Sequence, residues 1–539
     1  MEQVSLSDVV QKGNGSSSTT TTPSAVGELP QSDLLAENEQ QKLTLHTCPP
    51  FVTVKFITRT HPHHTPETPF KIPSSLSRYG LSEIVNHLLG NEDRKSIVPF
   101  EFLVRYKNKK IFLRTTLRNF YVLSQRWPEE IDTLEYIEAQ PAPRSVDQIP
   151  HDDWLSHIVN LRRTEDGMGK RDYLVTSCYD GKIRVIDSQT GSVLGVHRHA
   201  RAALAVDCRR ITMVPDDLTV ISGGQNEKVH YYRYDSERRK FEMKCLLTGH
   251  EAPVNAISIN PSGSLVFTAS TDRTIQYWSL TQKALNMDEH YMKILEEQQE
   301  DDDASNIQEP ASKKRKLQII EQPSIDVFNG HTLGVNALAW KDNTQLFSGS
   351  DDHTILLWDI HSRQPVTKLQ GSKVVSALSY NQELGVILST HPDGAIRMWD
   401  PRAEDATAQV FRSHKGWVRS VDWARKPGLT YQFTSGADDN LIKIWDVRSA
   451  IPLHSFSHHK KSQEEKEEIK QQIEEDKKFR EMDTLVRPML HAKRARSNFK
   501  TMCVTYAQGS NSVIYSGSSD CTVKKHVIEN KHAEEAMKD

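Results

Sequence analysis

Seven times along the chain a short phrase recurs: two small residues, an acidic or amide turn residue, then a β-branched run. It reads Ser177-Cys178-Tyr179-Asp180-Gly181, Gly223-Gly224-Gln225-Asn226, Ala269-Ser270-Thr271-Asp272, Gly349-Ser350-Asp351-Asp352, Ser389-Thr390-His391-Pro392-Asp393, Gly436-Ala437-Asp438-Asp439 and Gly517-Ser518-Ser519-Asp520. The turn residues Asp180, Asn226, Asp272, Asp352, Asp393, Asp439 and Asp520 are separated by 46, 46, 80, 41, 46 and 81 positions. Two gaps are therefore one period plus an insertion of roughly 35 to 40 residues. A tight turn between β-branched runs is a hairpin signal. A unit this short cannot bury its apolar face alone, so neighbouring copies must stack. Any account of function starts from that repetition.

Trp278, Trp358, Trp399 and Trp445 each follow their turn acid by the same offset, and three of them are followed by Asp. A repeat of about 40 to 45 residues ending in Trp-Asp is the WD-repeat signature, one four-stranded propeller blade per copy. The pattern predicts a mainly β fold: a seven-bladed WD40 β-propeller over residues 151–530, interrupted at about 283–324 and 460–500. Ile186, Tyr232 and His526 take the Trp position in the first, second and seventh copies. Gly249-His250, Gly330-His331 and the variant Ser413-His414 open the next blade in each case. His250, His331 and His414, a second-strand Ser or Thr, the turn acid and the Trp are expected to form buried hydrogen-bonded sets, because polar groups inside a blade must be paired. A lone His-Asp-Ser set would suggest a nucleophilic triad. Its repetition blade after blade favours scaffold. A closed ring also needs its first and last blades joined, so the stretch before Trp154 is expected to supply the outer strand of blade seven.

A propeller of this period occupies roughly 300 residues, so a chain of 539 residues must hold a second unit. Residues 1–48 are polar, with Gly13-Asn14-Gly15-Ser16-Ser17-Ser18 followed by four Thr, and read as a disordered tail. From there Val52, Val54 and Phe56 alternate like a strand, and Phe70-Lys71-Ile72 closes at Pro73. Leu81, Ile84, Val85, Leu88 and Leu89 form a helical stripe that Gly90 would cap. Phe100, Phe102 and Val104, then Ile111 to Leu113, then Leu134 to Ile137 read as further strands. One helix across such a sheet predicts a small α+β ubiquitin-like domain over 50–139, with an unrelated α+β unit as the alternative. Pro141, Pro143 and Pro150 mark a linker at 140–150, and 531–539 is a short tail.

The chain carries 68 basic and 71 acidic residues, a balance that sets no global field for nucleic acid. Its six cysteines show no CxxC pair, which argues against a disulfide framework, a zinc site or an oxidising compartment. Neither a membrane-length apolar run nor a secretory leader is evident, so a soluble protein inside the cell and no membrane partner are expected. No Walker loop, HExxH, GxSxG or dinucleotide fingerprint occurs, so no enzyme and no cofactor are expected. The first insertion runs from acidic residues into Lys313-Lys314-Arg315-Lys316, which reads as a nuclear-import cluster or a solvated charge run. The second ends in Lys493-Arg494-Ala495-Arg496, where Lys493, Arg494 and Arg496 could contact RNA phosphates, act in import or stay solvated. The strip His197 to Arg201 is the remaining candidate RNA surface.

Arg78-Tyr79-Gly80-Leu81-Ser82-Glu83-Ile84-Val85-Asn86-His87-Leu88-Leu89, the junction His151-Asp152-Asp153-Trp154, the Lys313–Leu317 loop and Trp399-Asp400-Pro401-Arg402 together resemble the WD-repeat ribosome-biogenesis family that partners pescadillo and the block-of-proliferation protein. The resemblance covers about residues 50–530; the first segment favours this family over Notchless, which shares the architecture. It implies a nuclear protein of the nucleolus and nucleoplasm, needed for precursor rRNA processing in the pre-60S particle, its propeller docked on that of the block-of-proliferation protein. It also implies that a midasin-type AAA ATPase grips the ubiquitin-like domain through a Mg²⁺ ion that it holds. A carboxylate given in trans completes that octahedral oxygen site. The family's acid lies seven residues before the last-strand Tyr, which points from Tyr136 to Glu129, with Glu130 and Asp132 as neighbours in register. A substrate adaptor for a ubiquitin ligase or proteasome shuttle is the competing function, and it would need an exposed Leu/Ile/Val patch on the sheet.

Overall fold

The computed structural model describes residues 48–528, apart from 59–64, 67, 92–96, 107–108, 125–127, 129–130, 162–171, 200, 211–216, 281–320, 404–406, 426–428, 460–498 and 508–512. The tails, the bulk of both insertions and therefore Glu129, Glu130, Lys313–Lys316 and Lys493–Arg496 lie outside the described residues.

The first unit is a five-stranded sheet crossed by a helix. β1 (Phe51–Ile57), β2 (Phe70–Pro73), β3 (Phe100–Tyr106), β4 (Lys109–Phe112) and β5 (Asp132–Glu138) lie in the order β2-β1-β5-β3-β4, with β1 and β5 parallel and the other pairs antiparallel. α1 (Arg78–Leu88) buries Leu81 and Val85 against Val54, Phe102 and Leu134. It ends in a Schellman motif: the Gly90 and Asn91 amides donate to His87 and Asn86 carbonyls at 3.1 and 2.9 Å, and Gly90 takes φ +77°. A short α2 (Leu117–Ser124) went unread in the sequence, although Leu117 and Tyr121 bury one turn apart.

The remaining strands form seven sheets, each built on four antiparallel strands, with a fifth short strand added to the second. Their inner strands touch in sequence around a ring, and Thr501–Tyr506 of blade 7 returns to Leu155–Leu161 of blade 1. In six of the seven inner strands the register slips near the start, as between Val254 and Ala256. The extra residue of such a bulge turns sideways. Ser156, Asn255 and Asn336 use that turn to donate to the Ala203, Val335 and Val375 carbonyls of the next blade, at 2.6, 3.1 and 3.2 Å. Lateral stapling of the ring is thus written into the bulge.

Blade 7 is closed by β6 (Arg144–Pro150), which pairs antiparallel with Thr522–Val527. Residues 144–150 are therefore an outer blade strand and not part of a linker, since an open edge would leave ladder groups unpaired. A second correction concerns the first insertion, whose far end is ordered: Glu321–Pro323 adds in parallel to the top of blade 2's outer strand, Leu246 to Thr248. There the Gln322 carbonyl accepts the Trp278 indole N–H at 3.2 Å.

Strand direction alternates within each blade, so one end of the ring carries the turns after second strands and the connections to the next blade. The second insertion departs from that end, after the outer strand His454–Ser457 of blade 6. The first lies between the third strand Thr274–Ser279 and outer strand Asp326–Asn329 of blade 3, which places it at the opposite end.

Candidate functional site

Within the blades, a hydroxyl four residues before each turn residue binds a histidine in all seven copies. The pairs are His151–Thr176, His199–Ser222, His250–Thr268, His331–Ser348, His391–Ser389, His414–Ser435 and His458–Ser516, at 2.7 to 3.0 Å. Sequence reasoning assigned only three of these histidines. The other four escaped because Gly-His does not precede them, although the repeated Ser or Thr was visible. In blade 5 the histidine comes from the turn phrase itself.

Four histidines also reach the turn acid: His250–Asp272, His331–Asp352 and His414–Asp439 at 2.7, 2.9 and 3.0 Å, and His458–Asp520 at 3.3 Å. Where the histidine turns elsewhere, the third strand supplies a partner four residues after the turn. Arg184 pairs Asp180 at 2.8 Å, Arg397 pairs Asp393 at 2.7 Å, and His230 bonds Asn226 at 2.9 Å. A buried carboxylate left alone would be costly, so each blade has found one of two solutions. Burial would raise Asp272, but His250 and the Thr274 hydroxyl hold it at about 2. Burial would likewise raise Asp352, but hydrogen bonds from the Thr354 hydroxyl and the Thr332 amide outweigh it and hold the carboxyl at about 2.

Trp358, Trp399 and Trp445 donate to Ser348, Ser389 and Ser435 at 2.8, 2.6 and 2.8 Å, completing their sets. Trp278 departs from the expected pattern, spending its N–H on Gln322. His526 replaces Trp in blade 7 and still bonds Ser516 at 2.7 Å. These residues are spent on holding blades together.

In the ubiquitin-like domain the segment from Arg78 to Leu89 is itself largely structural. Asn86 bridges both backbone groups of Val98 at 2.7 and 3.0 Å, and Ser82 accepts the Phe100 amide at 2.9 Å, tying α1 to the start of β3. Tyr79 remains 74% exposed. Tyr136, the register mark, is fully buried, with its hydroxyl accepting the Thr65 amide at 3.1 Å. Asp132 is buried and accepts the Tyr121 hydroxyl, so of the three acids in register it has no free carboxylate to lend. The outer sheet face carries Lys55, Lys71, Glu101, Arg105, Lys110 and Glu135, with Ile57, Ile137 and the buried Leu103 and Phe112 set among them.

At the end of the ring that bears the second insertion, aromatics stand open. Trp154 is 45% exposed with its ring edge-on to Tyr179. Trp417 lies under the Arg419 guanidinium at 4.2 Å, and Asp438 fixes that arginine at 2.8 Å. Exposed Trp and Arg held in place are the residues that anchor protein contacts. In the strip His197 to Arg201, the His197 ring packs 4.3 Å from that of Tyr232 and His199 is buried, held at about 3 by desolvation and by His230 and His197, while Arg198 and Arg201 stay exposed at the surface. A channel of ≈ 800 Å³ runs through the ring, lined by inner strands. Among the described residues no cluster of His, Cys, Asp and Glu could hold a metal, and no helix is long and apolar enough to cross a membrane.

The model of the NLE (NUC135) domain matches residues 52–121, and that of the WD domain, G-beta repeat, matches 242–279, 322–359 and 406–446. The three matched repeats are those with His, turn Asp and Trp all in place, and the first insertion falls between two of them. The chain is 29% identical to a ribosome biogenesis protein WDR12 homolog of Ixodes scapularis over 416 residues, spanning 76% of this chain and 92% of the relative. A homolog of the same description from Nematostella vectensis is 27% identical over 76% of this chain and 92% of its own, and one from Dictyostelium discoideum is 29% identical over 77% and 88%. The chain is similar to those proteins over about three quarters of its length.

Proposed function

We propose that this protein is a non-enzymatic assembly factor in biogenesis of the large (60S) ribosomal subunit, needed for precursor rRNA processing. What carries the reading is the joint presence of an NLE domain and WD repeats in one chain, similar over 76% of its length to proteins named for ribosome biogenesis. The blade acids, each tied to a His, Arg or hydroxyl of its own blade, are poor candidates for catalysis.

In this reading the propeller docks on the propeller of the block-of-proliferation protein, in a complex with pescadillo on the pre-60S particle, in nucleolus and nucleoplasm. The ubiquitin-like domain is the handle by which a midasin-type ATPase removes the factor. Glu129 or its neighbour Glu130 completes the Mg²⁺ site of that partner, because Asp132 is already engaged by Tyr121. Lys313–Lys316 serve nuclear import, and Lys493, Arg494 and Arg496, with the exposed Arg198 and Arg201, are the RNA candidates. The ligase-adaptor reading is weakened because Leu103 and Phe112 on the outer face of the sheet are buried and so offer no exposed apolar patch.

Affinity purification of the tagged full-length chain tests the proposal. Pescadillo and large-subunit precursors are expected to come with it; ligase or proteasome subunits in their place would overturn it.

A further inference from the structure

Phe112 and Leu103 point away from the helix side of the ubiquitin-like sheet, and neither belongs to that domain's core, yet they are 5% and 2% exposed. For Phe112, much of the cover comes from the propeller. Arg448, in the turn after the third strand Leu441–Asp446 of blade 6, stands 5.1 Å from the Phe112 ring and 4.5 Å from that of Tyr431. Arg114 stacks on Phe112 at 4.9 Å, so cations and rings alternate across the junction: Arg114, Phe112, Arg448, Tyr431. Asp446, itself fully buried, holds the Arg448 guanidinium by two bonds of 2.8 and 2.7 Å. The Phe112 amide donates to the Arg448 carbonyl at 3.3 Å. Partly desolvated cation–π contacts of this kind are stronger than exposed ones.

A second contact fixes the connector. His454, on the outer strand of blade 6, hydrogen-bonds the Gln140 carbonyl at 3.0 Å. Gln140 lies between the end of β5 at Glu138 and the start of β6 at Arg144.

β6 is the one outer strand without a hairpin to its blade. The others follow their third strand directly in the chain or through an insertion, whereas β6 precedes the whole propeller and pairs with Thr522–Val527. Its side chains offer little cover, Ile149 alone being buried. Closing a loop this long costs entropy, which falls when the strand's entry point is already held beside its partner. The ubiquitin-like domain, clasped to blade 6 next to blade 7, provides that.

We propose that the Arg448–Phe112 clasp is a latch that couples docking of the ubiquitin-like domain to closure of the propeller ring: while the domain is docked β6 stays in blade 7, and undocking loosens it. The coupling does not depend on which partner the protein serves. A partner that takes the outer sheet face would therefore also soften the ring seam.

The test is hydrogen exchange on the full-length chain, with domain docking read in parallel by small-angle scattering. The variants are Phe112→Ala, which spares the domain core, and Arg448→Lys, which keeps a cation beside Asp446 but loses the planar stack. Both are expected to increase the maximum dimension and to speed exchange at 144–150 and 522–527 by tenfold or more. Exchange in the inner strands Val254–Ile259 and Val335–Trp340 and in β5 should stay unchanged. Undocking with unchanged protection at 144–150 would overturn the coupling. A double variant that remains docked would overturn the clasp.

Discussion

The imidazole of His458 bonds the Ser516 hydroxyl at 2.7 Å across 58 residues of chain, with the second insertion between them. Just beyond it His459 and Phe499 meet with ring centroids 4.5 Å apart, so the insertion leaves and returns at one point. Excising 460–498 in favour of a short Gly-Ser link should leave the propeller folded. Shortening the loop by about three doublings stabilises by at most ~2 kcal/mol. His458→Ala should instead destabilise by about 2–3 kcal/mol, because Asp520 and Ser516 lose a buried partner. Urea unfolding of the two variants checks both directions.

The residue after every turn acid or amide adopts positive φ: Gly181, Glu227, Arg273, His353, Gly394, Asn440 and Cys521. Side chains are strained there. Arg273→Gly and His353→Gly should each stabilise by about 0.5–1 kcal/mol after the loss of chain entropy in glycine is offset. Gly394→Ala should destabilise by more than about 1.5 kcal/mol, since its Cβ would meet the His414 carbonyl oxygen at 2.6 Å. A shift of urea midpoint in the opposite sense for either class would refute the account.

Burial holds His151, His230 and His391 at about 4 and His199 at about 3, against about 6.5 in an unfolded chain. Between those values the unfolded state binds more protons, so stability is complete above neutral pH and falls as pH drops from about 6.5 toward 4. Each histidine adds up to about 1.4 kcal/mol per pH unit to that slope. Asp272, Asp352 and Asp520, at about 2 in the fold, extend the loss below their ordinary range of 3.8. Urea midpoints measured across this range should decline steadily, and His391→Gln should flatten the upper part.

Glu129→Ala is expected to leave the melting temperature of the ubiquitin-like domain unchanged and to abolish capture by a midasin-type ATPase. Asp132→Ala should behave in the reverse way, costing about 1–2 kcal/mol of stability because the Tyr121 hydroxyl is left buried without its carboxylate. Normal capture of both Glu129→Ala and Glu130→Ala would remove the handle assignment.

The sequence by itself determined the number of blades, the positions of both insertions and the core stripe of α1. Those features rest on local periodicity: a turn acid between β-branched runs, and apolar residues at helical spacing, report their own environment. It also determined that Asp272, Asp352 and Asp439 are scaffold, because a catalytic set does not recur every blade. What it could not decide are contacts between residues far apart in the chain. That Arg184 and Arg397 stand in for histidine at Asp180 and Asp393, that His458 belongs to a blade beginning beyond an insertion, and that Asp132 is buried against Tyr121, all depend on which strands lie side by side. Arg448 on Phe112 is the extreme case. A cation and a ring hundreds of residues apart carry no mark of each other until the sheet and blade 6 are brought together, and only tertiary structure does that.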